Sequence, residues 1–143
     1  MKQSAIHLEI SPIKEEGFHV FLSLQVNGHP LRMLLDTGAS RTIFDLTNIK
    51  QILMADEFEE NEDKAVGLGS NAVDNYVVTI NNISIGTLDI QNYQVGALDL
   101  THVNESYTKM GLLPIDGVLG SDLLILFKAV IDLGKAELCL TEA

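Results

Sequence analysis

The stretch that decides the fold is Leu31-Arg32-Met33-Leu34-Leu35-Asp36-Thr37-Gly38-Ala39-Ser40. It follows Phe18 to Val26, where every second residue from Val20 onward is apolar, as expected of a strand with one buried face. Between the two stretches lies Asn27-Gly28, a pair that readily adopts the left-handed conformations of a tight hairpin turn. The sequence therefore predicts a β-hairpin whose second strand, Leu31 to Leu35, ends in a polar loop.

The segment after this loop is predicted to be a short helix followed by a solvated loop. Asp45 to Ala55 has apolar residues at helical spacing, with Asp45 or Thr47 as the N-terminal cap. From Asp56 to Asp63, six of the eight residues are acidic, and their mutual repulsion favours a loop in water. The alternative interpretation of this acidic run is a surface that recruits basic substrates.

The second half of the chain is rich in short apolar segments separated by residues that favour turns. The predicted strands are Val73 to Ile80, Ile83 to Ile85, Leu88 to Ile90 and Tyr93 to Leu98, and the predicted turns are Asn81-Asn82, Gly86-Thr87 and Gln91-Asn92. A loop is expected from Thr101 to Asp116, and then a helical turn that ends at Leu126 and is capped by Ser121 or Asp122. A last hairpin pairs Ala129 to Leu133 with Ala136 to Leu140.

These elements together predict an all-β fold, closed like a barrel, with one or two short helices. A chain of 143 residues has the size of one domain with one sizeable core. We therefore expect a single domain that spans residues 1–143.

Composition and charge exclude several classes of function. Nine Lys and Arg stand against twenty Asp and Glu, a formal net charge of -11, which opposes binding to the phosphate backbone of nucleic acid. No apolar run is long enough to span a bilayer, and Met1 to His7 lacks the apolar stretch of a signal peptide. We therefore expect a cytoplasmic protein that binds neither nucleic acid nor membranes.

Cysteine and histidine usage argues against a disulfide and against a zinc site. Cys139 is the only cysteine, and it is expected to be a core or interface residue rather than a reactive thiol. The four histidines are scattered without metal-ligand spacing. We therefore expect no metal and no cofactor.

Asp36-Thr37-Gly38 is weak evidence for catalysis when it is taken alone, since residue usage produces this tripeptide by chance in about three per cent of chains of this length. Its setting adds weight, because an ionised Asp at the end of an apolar strand needs hydrogen-bond donors. Gly38 permits the close backbone approach that supplies them. On the local residues, a plain turn in which Asp36 accepts bonds from the following amides is an equally good interpretation.

Two further glycine-containing segments favour the functional interpretation. Val66-Gly67-Leu68-Gly69-Ser70 suits a mobile hairpin that closes over a cleft, although such turns are commonly only structural. It lacks the Gly-Lys-Ser/Thr ending of a phosphate loop. Val118-Leu119-Gly120 places a glycine directly before the last predicted helix, so that the backbone can pack closely beneath another loop.

In this order, the three segments resemble the retropepsin-like aspartic peptidases, and Ile115 to Leu140 is similar to the bacterial single-lobed members. The resemblance implies that Asp36 is the catalytic aspartate and that Thr37 bonds across a dimer axis. It implies that Gly38 and Ala39 contact substrate. It also implies that Gly67, Leu68 and Gly69 form a flap over the substrate.

The chain contains one Asp-Thr-Gly, whereas the resemblance implies two such loops in each active site, so a homodimer is expected. The hypothesis is an aspartic endopeptidase that hydrolyses peptides through two Asp36 carboxylates and an activated water. The alternatives are an inactive peptide-binding or dimerisation module of the same fold, and an unrelated β-barrel with an accidental turn. Asp122 is interpreted as favourable helix-end electrostatics rather than as a second catalytic acid.

Overall fold

The predicted hairpin is the centre of the computed structural model, which describes residues 1–53 and 76–143 and the backbone of residues 58–59. Strand β3 (Phe18–Val26) pairs with β4 (His29–Leu35), and Val26 lies opposite His29. The turn residues Asn27 and Gly28 have φ values of 49° and 83°, so both adopt the left-handed conformation that this sequence pair favours. The hairpin prediction is confirmed.

Six strands close a barrel around the main core. The remaining strands are β1 (Gln3–His7), β2 (Glu9–Pro12), β5 (Ile43–Asp45), β6 (Phe58–Glu59), β7 (Tyr76–Ile85), β8 (Leu88–Leu98), β9 (Gly117–Leu119), β10 (Val130–Asp132) and β11 (Glu137–Thr141). The order β3-β4-β9-β5-β8-β7 is closed by a pairing between β3 and β7, and β2 and β6 extend it. The prediction of a closed barrel is confirmed. Closure pairs the backbone hydrogen-bonding groups at the two edges of the sheet with each other.

The helices differ from the prediction in number. The structure has α1 (Leu46–Ile52), α2 (Thr101–Lys109) and α3 (Ser121–Leu126). The Asp45 carboxylate caps α1 by accepting a bond from the Asn48 amide, which confirms one of the two predicted caps. A loop was expected where α2 lies, because the sequence of this segment has little apolar periodicity. Tertiary contacts hold it: Tyr107 is buried, and the Asn104 side chain bonds both the amide and the carbonyl of Ile115.

Two predicted turns are wrong, because β7 and β8 each continue through them. Ile80 pairs with Tyr93 and Asn82 pairs with Gln91, so the register is the same on both sides of the intervening pair, Asn81 and Asn92. Asn92 adopts a left-handed φ of 53°, which disturbs the ladder locally without ending it. Pairing with a neighbouring strand over ten or more residues outweighs the local turn preference of asparagine.

Smaller corrections concern the acidic run and the two ends of the chain. Phe58 and Glu59 form β6 against β7, so the acidic run is not entirely the expected loop. Strands β10 and β11 form the predicted last hairpin. Strands β1 and β2 were not predicted, and β1 pairs with the other side of β11. Cys139 on β11 is only partly buried, unlike Leu138 and Leu140, so it does not belong to the core.

The apolar residues form two cores on opposite sides of the β3–β4 hairpin. Leu22, Leu24 and Val26 point into the barrel, whereas Phe21 belongs to a second cluster with Tyr107. This second cluster packs α2 onto the outer face of the hairpin, next to the end of β4. In the described ranges, no helix is long and apolar enough to cross a membrane.

Candidate active site

The Asp36-Thr37-Gly38 loop leaves the barrel at the end of β4 and is exposed to solvent. The Asp36 amide donates a hydrogen bond to the Leu119 carbonyl at 3.1 Å, and the Ala39 amide donates to the Asp36 carbonyl at 3.2 Å. The Gly38 amide donates to Asp36 Oδ1 at 2.9 Å, so the carboxylate has the donor that was expected from the sequence. A side chain at residue 38 would place its Cβ 3.2 Å from Asp36 Oδ1, a tight contact that would press on the carboxylate itself.

Strand β9 and Gly120 support this loop from below. Leu35 pairs with Leu119 in the parallel ladder between β4 and β9. A Cβ on Gly120 would lie 2.8 Å from the Ala39 carbonyl oxygen and 2.8 Å from the Arg41 carbonyl carbon, both closer than real Cβ contacts. The predicted close packing of a glycine beneath another loop is therefore confirmed. The Ser121 amide adds a bond of 2.7 Å to the Ala39 carbonyl.

Thr42 connects the Asp36 loop to α3 and β8. It is fully buried, its hydroxyl donates to Asp122 Oδ1 at 2.7 Å, and the same oxygen accepts the Thr42 amide at 2.9 Å. The Thr42 hydroxyl also accepts the Gly120 amide at 3.1 Å, and the Thr42 carbonyl accepts the Gly96 amide at 3.1 Å. Thr42 thus fixes the exit of the loop to α3 through its side chain and to β8 through its carbonyl.

Asp122 acts through side-chain bonds rather than as a helix cap. The N-cap of α3 is Gly120, which makes no side-chain bond, so the prediction that Ser121 or Asp122 caps this helix is wrong. Asp122 lies in the first turn, and its second oxygen accepts the Tyr93 hydroxyl at 2.8 Å. Burial, and then the hydrogen bond to Asp122, raise the pKa of the Tyr93 phenol, so Tyr93 stays a neutral donor to this carboxylate.

No sequence pattern had indicated Thr42 or Tyr93. Thr42 lies directly before β5 and Tyr93 lies on β8, so they meet Asp122 only when the barrel closes. The sequence offered one signal, the acidic Asp122 in an otherwise apolar segment. This signal did not identify the network, because a half-exposed acidic residue needs no partner. The site therefore contains a supporting network that a reading of the chain does not reveal.

A groove of about 460 Å³ lies beside the loop, between Thr37 and α3. Ile125 lines it and is 77% exposed, and Ile131 and Ala129 complete its apolar wall. Ile125 and the other apolar residues of the groove thus form one apolar surface beside the polar loop.

The predicted site residues are only partly described by the structure. Asp36, Thr37 and Gly38 lie together at the exposed tip of the loop, and Ala39 is partly buried at its base. Gly67, Leu68 and Gly69 fall outside the described residues, so their predicted role as a flap stays a prediction. Within residues 1–53 and 76–143, no three His, Cys, Asp or Glu side chains are grouped to hold a metal ion.

A closed β-barrel with one Asp-Thr-Gly loop, supported by a glycine that precedes a short helix, is the architecture of single-lobed, retropepsin-like aspartic proteases. The chain belongs to the aspartyl protease family, which it matches over residues 22–123. This match begins within β3 and includes the rest of the hairpin, the Asp36 loop, Gly120 and Asp122.

Solved structures of retropepsin-like proteins share the fold. A retropepsin-like aspartic protease from Rickettsia conorii is 20% identical, with a TM-score of 0.62, over 97% of this chain and 90% of that one. The retroviral protease-like domain of Ddi1 from Leishmania major is 14% identical, with a TM-score of 0.55, over 80% and 81% of the two chains. EIAV protease, solved with the inhibitor HBY-793, is 20% identical, with a TM-score of 0.56, over 79% and 91%. No curated protein matches the sequence.

Proposed function

We propose that this protein is an aspartic endopeptidase whose active site forms between two copies of the chain. The observation that carries the proposal is the Asp36 loop, which exposes a carboxylate to solvent while Leu119, Gly120 and Thr42 fix its backbone. Membership of the aspartyl protease family supports the same chemistry. A catalytic group must be both accessible and rigidly held, and Asp36 is both.

The proposed chemistry needs two carboxylates that share one proton. Two Asp36 side chains within hydrogen-bonding distance cannot both stay ionised, so the pair titrates as a unit. The ionised Asp36 takes a proton from water, whose oxygen attacks the scissile carbonyl carbon. The protonated Asp36 of the other chain gives its proton to the amide nitrogen, the C–N bond breaks, and the amine leaves. No covalent intermediate forms, and Gly38 and Ala39 at the edge of the loop contact the peptide backbone.

A two-fold dimer supplies the second carboxylate from the same surface of a second chain. The groove between Thr37 and α3 supports this arrangement, because it is continuous with the Asp36 loop and leaves Ile125 exposed. Covering that side chain removes apolar area from water and stabilises the pair. The proposed substrate is an extended peptide or protein segment, and the predicted flap at Gly67, Leu68 and Gly69 closes over it.

The direct test is cleavage of a mixed peptide library by wild type and by Asp36→Asn. We expect cleavage by wild type and a loss of at least about a thousandfold in Asp36→Asn, because an uncharged amide cannot act as the base. Asp89→Asn, a change of the same kind at an exposed Asp on β8, is the matched control and keeps full activity. Equal cleavage by Asp36→Asn and wild type would exclude Asp36 as the catalytic residue.

The requirement for two chains is tested by mixing. When wild type and Asp36→Asn are exchanged in equal amounts, only about one quarter of the dimers carry two intact loops. Activity should therefore fall to about a quarter rather than a half of the wild-type value. A fall to a half would indicate that each chain works alone. If neither mixture nor wild type cleaves any peptide, the protein is a binding or dimerisation module of this fold.

A further inference from the structure

His19 and Tyr107 form a bonded pair on the outer face of the β3–β4 hairpin. The Tyr107 hydroxyl lies 2.9 Å from His19 Nδ1, and the two rings meet edge to face with centroids 5.7 Å apart. Tyr107 is only 3% exposed, whereas His19 is partly exposed. The pair thus has an anchored member on α2 and a member that reaches the surface on β3.

This pair lies on the same face of the hairpin as the Asp36 side chain. Phe21 is paired with Leu34, and His19, two residues before Phe21 on β3, projects from the same face because strand side chains alternate. The same alternation, continued by one residue past the end of β4 at Leu35, assigns Asp36 to this face. Phe21 and Leu34 both belong to the cluster around Tyr107. Burial raises the pKa of the Tyr107 phenol; the charge of Arg32 opposes this rise, and the charge of the Asp36 carboxylate adds to it.

The bond to Tyr107 fixes which nitrogen of His19 is free. A neutral His19 accepts the Tyr107 hydroxyl at Nδ1 and therefore carries its hydrogen on Nε2. In the opposite tautomer, the buried hydroxyl would need another acceptor, and none is found for it among the residues that the structure describes. A protonated ring also keeps the hydrogen on Nε2. In both states, His19 offers an Nε2–H donor on the edge that points away from Tyr107.

Nearby charge selects among the acceptors that such a donor could bind. Arg32 is a cation on this face whose Nη2 donates to Glu9 at 2.7 Å and whose guanidinium lies 4.1 Å from the Phe21 ring centroid. Its Nε has no partner among the described residues, but it is buried and so is not offered to a ligand at the surface. The Asp36 carboxylate and the net charge of -11 oppose a carboxylate ligand. A neutral side-chain amide, with a carbonyl oxygen and no charge, fits this donor best.

The geometry points to His19 as a specificity-determining residue that favours a Gln or Asn side chain of the substrate at the subsite beside Asp36, with Tyr107 as its positioning residue. This inference rests on the proposed peptidase function, since that function places the substrate on this face. Tyr107 does not touch the substrate. It holds the His19 ring, and α2 brings it to this position.

The test compares three peptides that differ at one subsite, which carries Gln, Met or Glu; Met has the length of Gln without the acceptor. This subsite is first identified with a library of peptides varied at one position at a time. It is the position at which residue preference differs most between wild type and His19→Phe. We expect kcat/KM of wild type for the Gln peptide to exceed that for the Met peptide by about three- to tenfold, the value of one hydrogen bond. His19→Phe should abolish this ratio, and Tyr107→Phe should reduce it.

Two further variants separate specificity from stability. His19→Gln keeps an acceptor for Tyr107 and a donor for the substrate, so it should restore most of the preference that His19→Phe loses. His102→Ala removes a histidine that is 98% exposed on α2 and should leave the preference unchanged. An unaltered profile at every subsite in His19→Phe would overturn the inference, and so would a wild-type ratio near one. An unaltered preference in Tyr107→Phe would refute Tyr107 as the positioning residue.

Binding separates this inference from the proposed function. Binding of the same peptides is measured by fluorescence anisotropy, first with the Asp36→Asn variant and then with the double variant that carries Asp36→Asn and His19→Phe. A Gln preference that disappears with His19→Phe supports the subsite even if wild type shows no turnover, in which case only the peptidase proposal fails. Equal binding of the Gln and Met peptides by Asp36→Asn contradicts the subsite while leaving catalysis by Asp36 untouched.

Discussion

Gly120→Ala tests whether the close packing beneath the Asp36 loop is needed for activity. The added Cβ would lie 2.8 Å from the Ala39 carbonyl oxygen, 2.8 Å from the Arg41 carbonyl carbon and 2.9 Å from the Arg41 carbonyl oxygen. All three are backbone atoms, so no side-chain rotation relieves the contact. Either the Asp36 loop or β9 must move.

The size of this movement follows from the contacts. Ordinary contact begins near 3.4 Å, so the loop must shift by about 0.6 Å. Forcing an extra methyl group into a packed site costs about 1–3 kcal/mol of unfolding free energy. The shift also loosens the bonds that Gly120 and Ser121 make to Thr42 and Ala39. Since a displacement of about 1 Å lowers catalysis about a hundredfold, we expect kcat to fall at least tenfold.

The assay combines urea unfolding with peptide cleavage, and Gly134→Ala is the matched control. A Cβ on Gly134 meets only Asp132 Oδ1 at 3.5 Å, an ordinary contact, and Gly134 has no left-handed φ. Its replacement should therefore leave activity unchanged and change unfolding by less than about 1 kcal/mol. If Gly120→Ala unfolds and cleaves like wild type, Gly120 does not hold the loop in place and the reasoning fails.

Three further predictions concern the surroundings of the loop. Asp122→Ala removes the acceptor of three donors and should lower the unfolding free energy by about 2–4 kcal/mol. Asp122→Asn keeps one acceptor oxygen and should lower the unfolding free energy by clearly less. Equal losses of unfolding free energy in urea would contradict this prediction. Thr42→Val keeps the shape of the side chain but removes the hydroxyl between Gly120 and Asp122, so it should lower the unfolding free energy by about 1–3 kcal/mol and also lower kcat. Thr42→Ser keeps the hydroxyl and should retain both stability and activity. A Thr42→Val protein with the stability and activity of wild type would contradict this prediction. The hydrogen bond from Arg32 lowers the pKa of Glu9, so its small stabilisation is present above the ordinary Glu pKa and is lost as pH falls through the lowered value. Urea unfolding of wild type and Glu9→Gln should therefore differ at pH 7 and converge in acid, and a difference that grows in acid would show the wrong sign.

Local patterns in the sequence were sufficient for the elements that depend on neighbouring residues. Alternating apolar residues and Asn27-Gly28 predicted the hairpin that carries Asp36, because strand alternation and a left-handed turn are properties of adjacent positions. The same holds for the Asp45 cap of α1 and for the glycine beneath the loop. Predictions failed where distant segments decide: Asn81-Asn82 and Gln91-Asn92 favour turns locally, but strand pairing keeps both strands intact.

The sequence by itself determined the barrel class, the family resemblance and the position of Asp36 at a strand end, since these follow from periodicity and from short motifs. Only the tertiary structure decided that Asp122 joins Thr42 and Tyr93, that α2 replaces a predicted loop, and that Tyr107 reaches His19 from 88 positions away. The physical reason is that a hydrogen bond between remote side chains needs both the register and the closure of the barrel. No local pattern specifies either one.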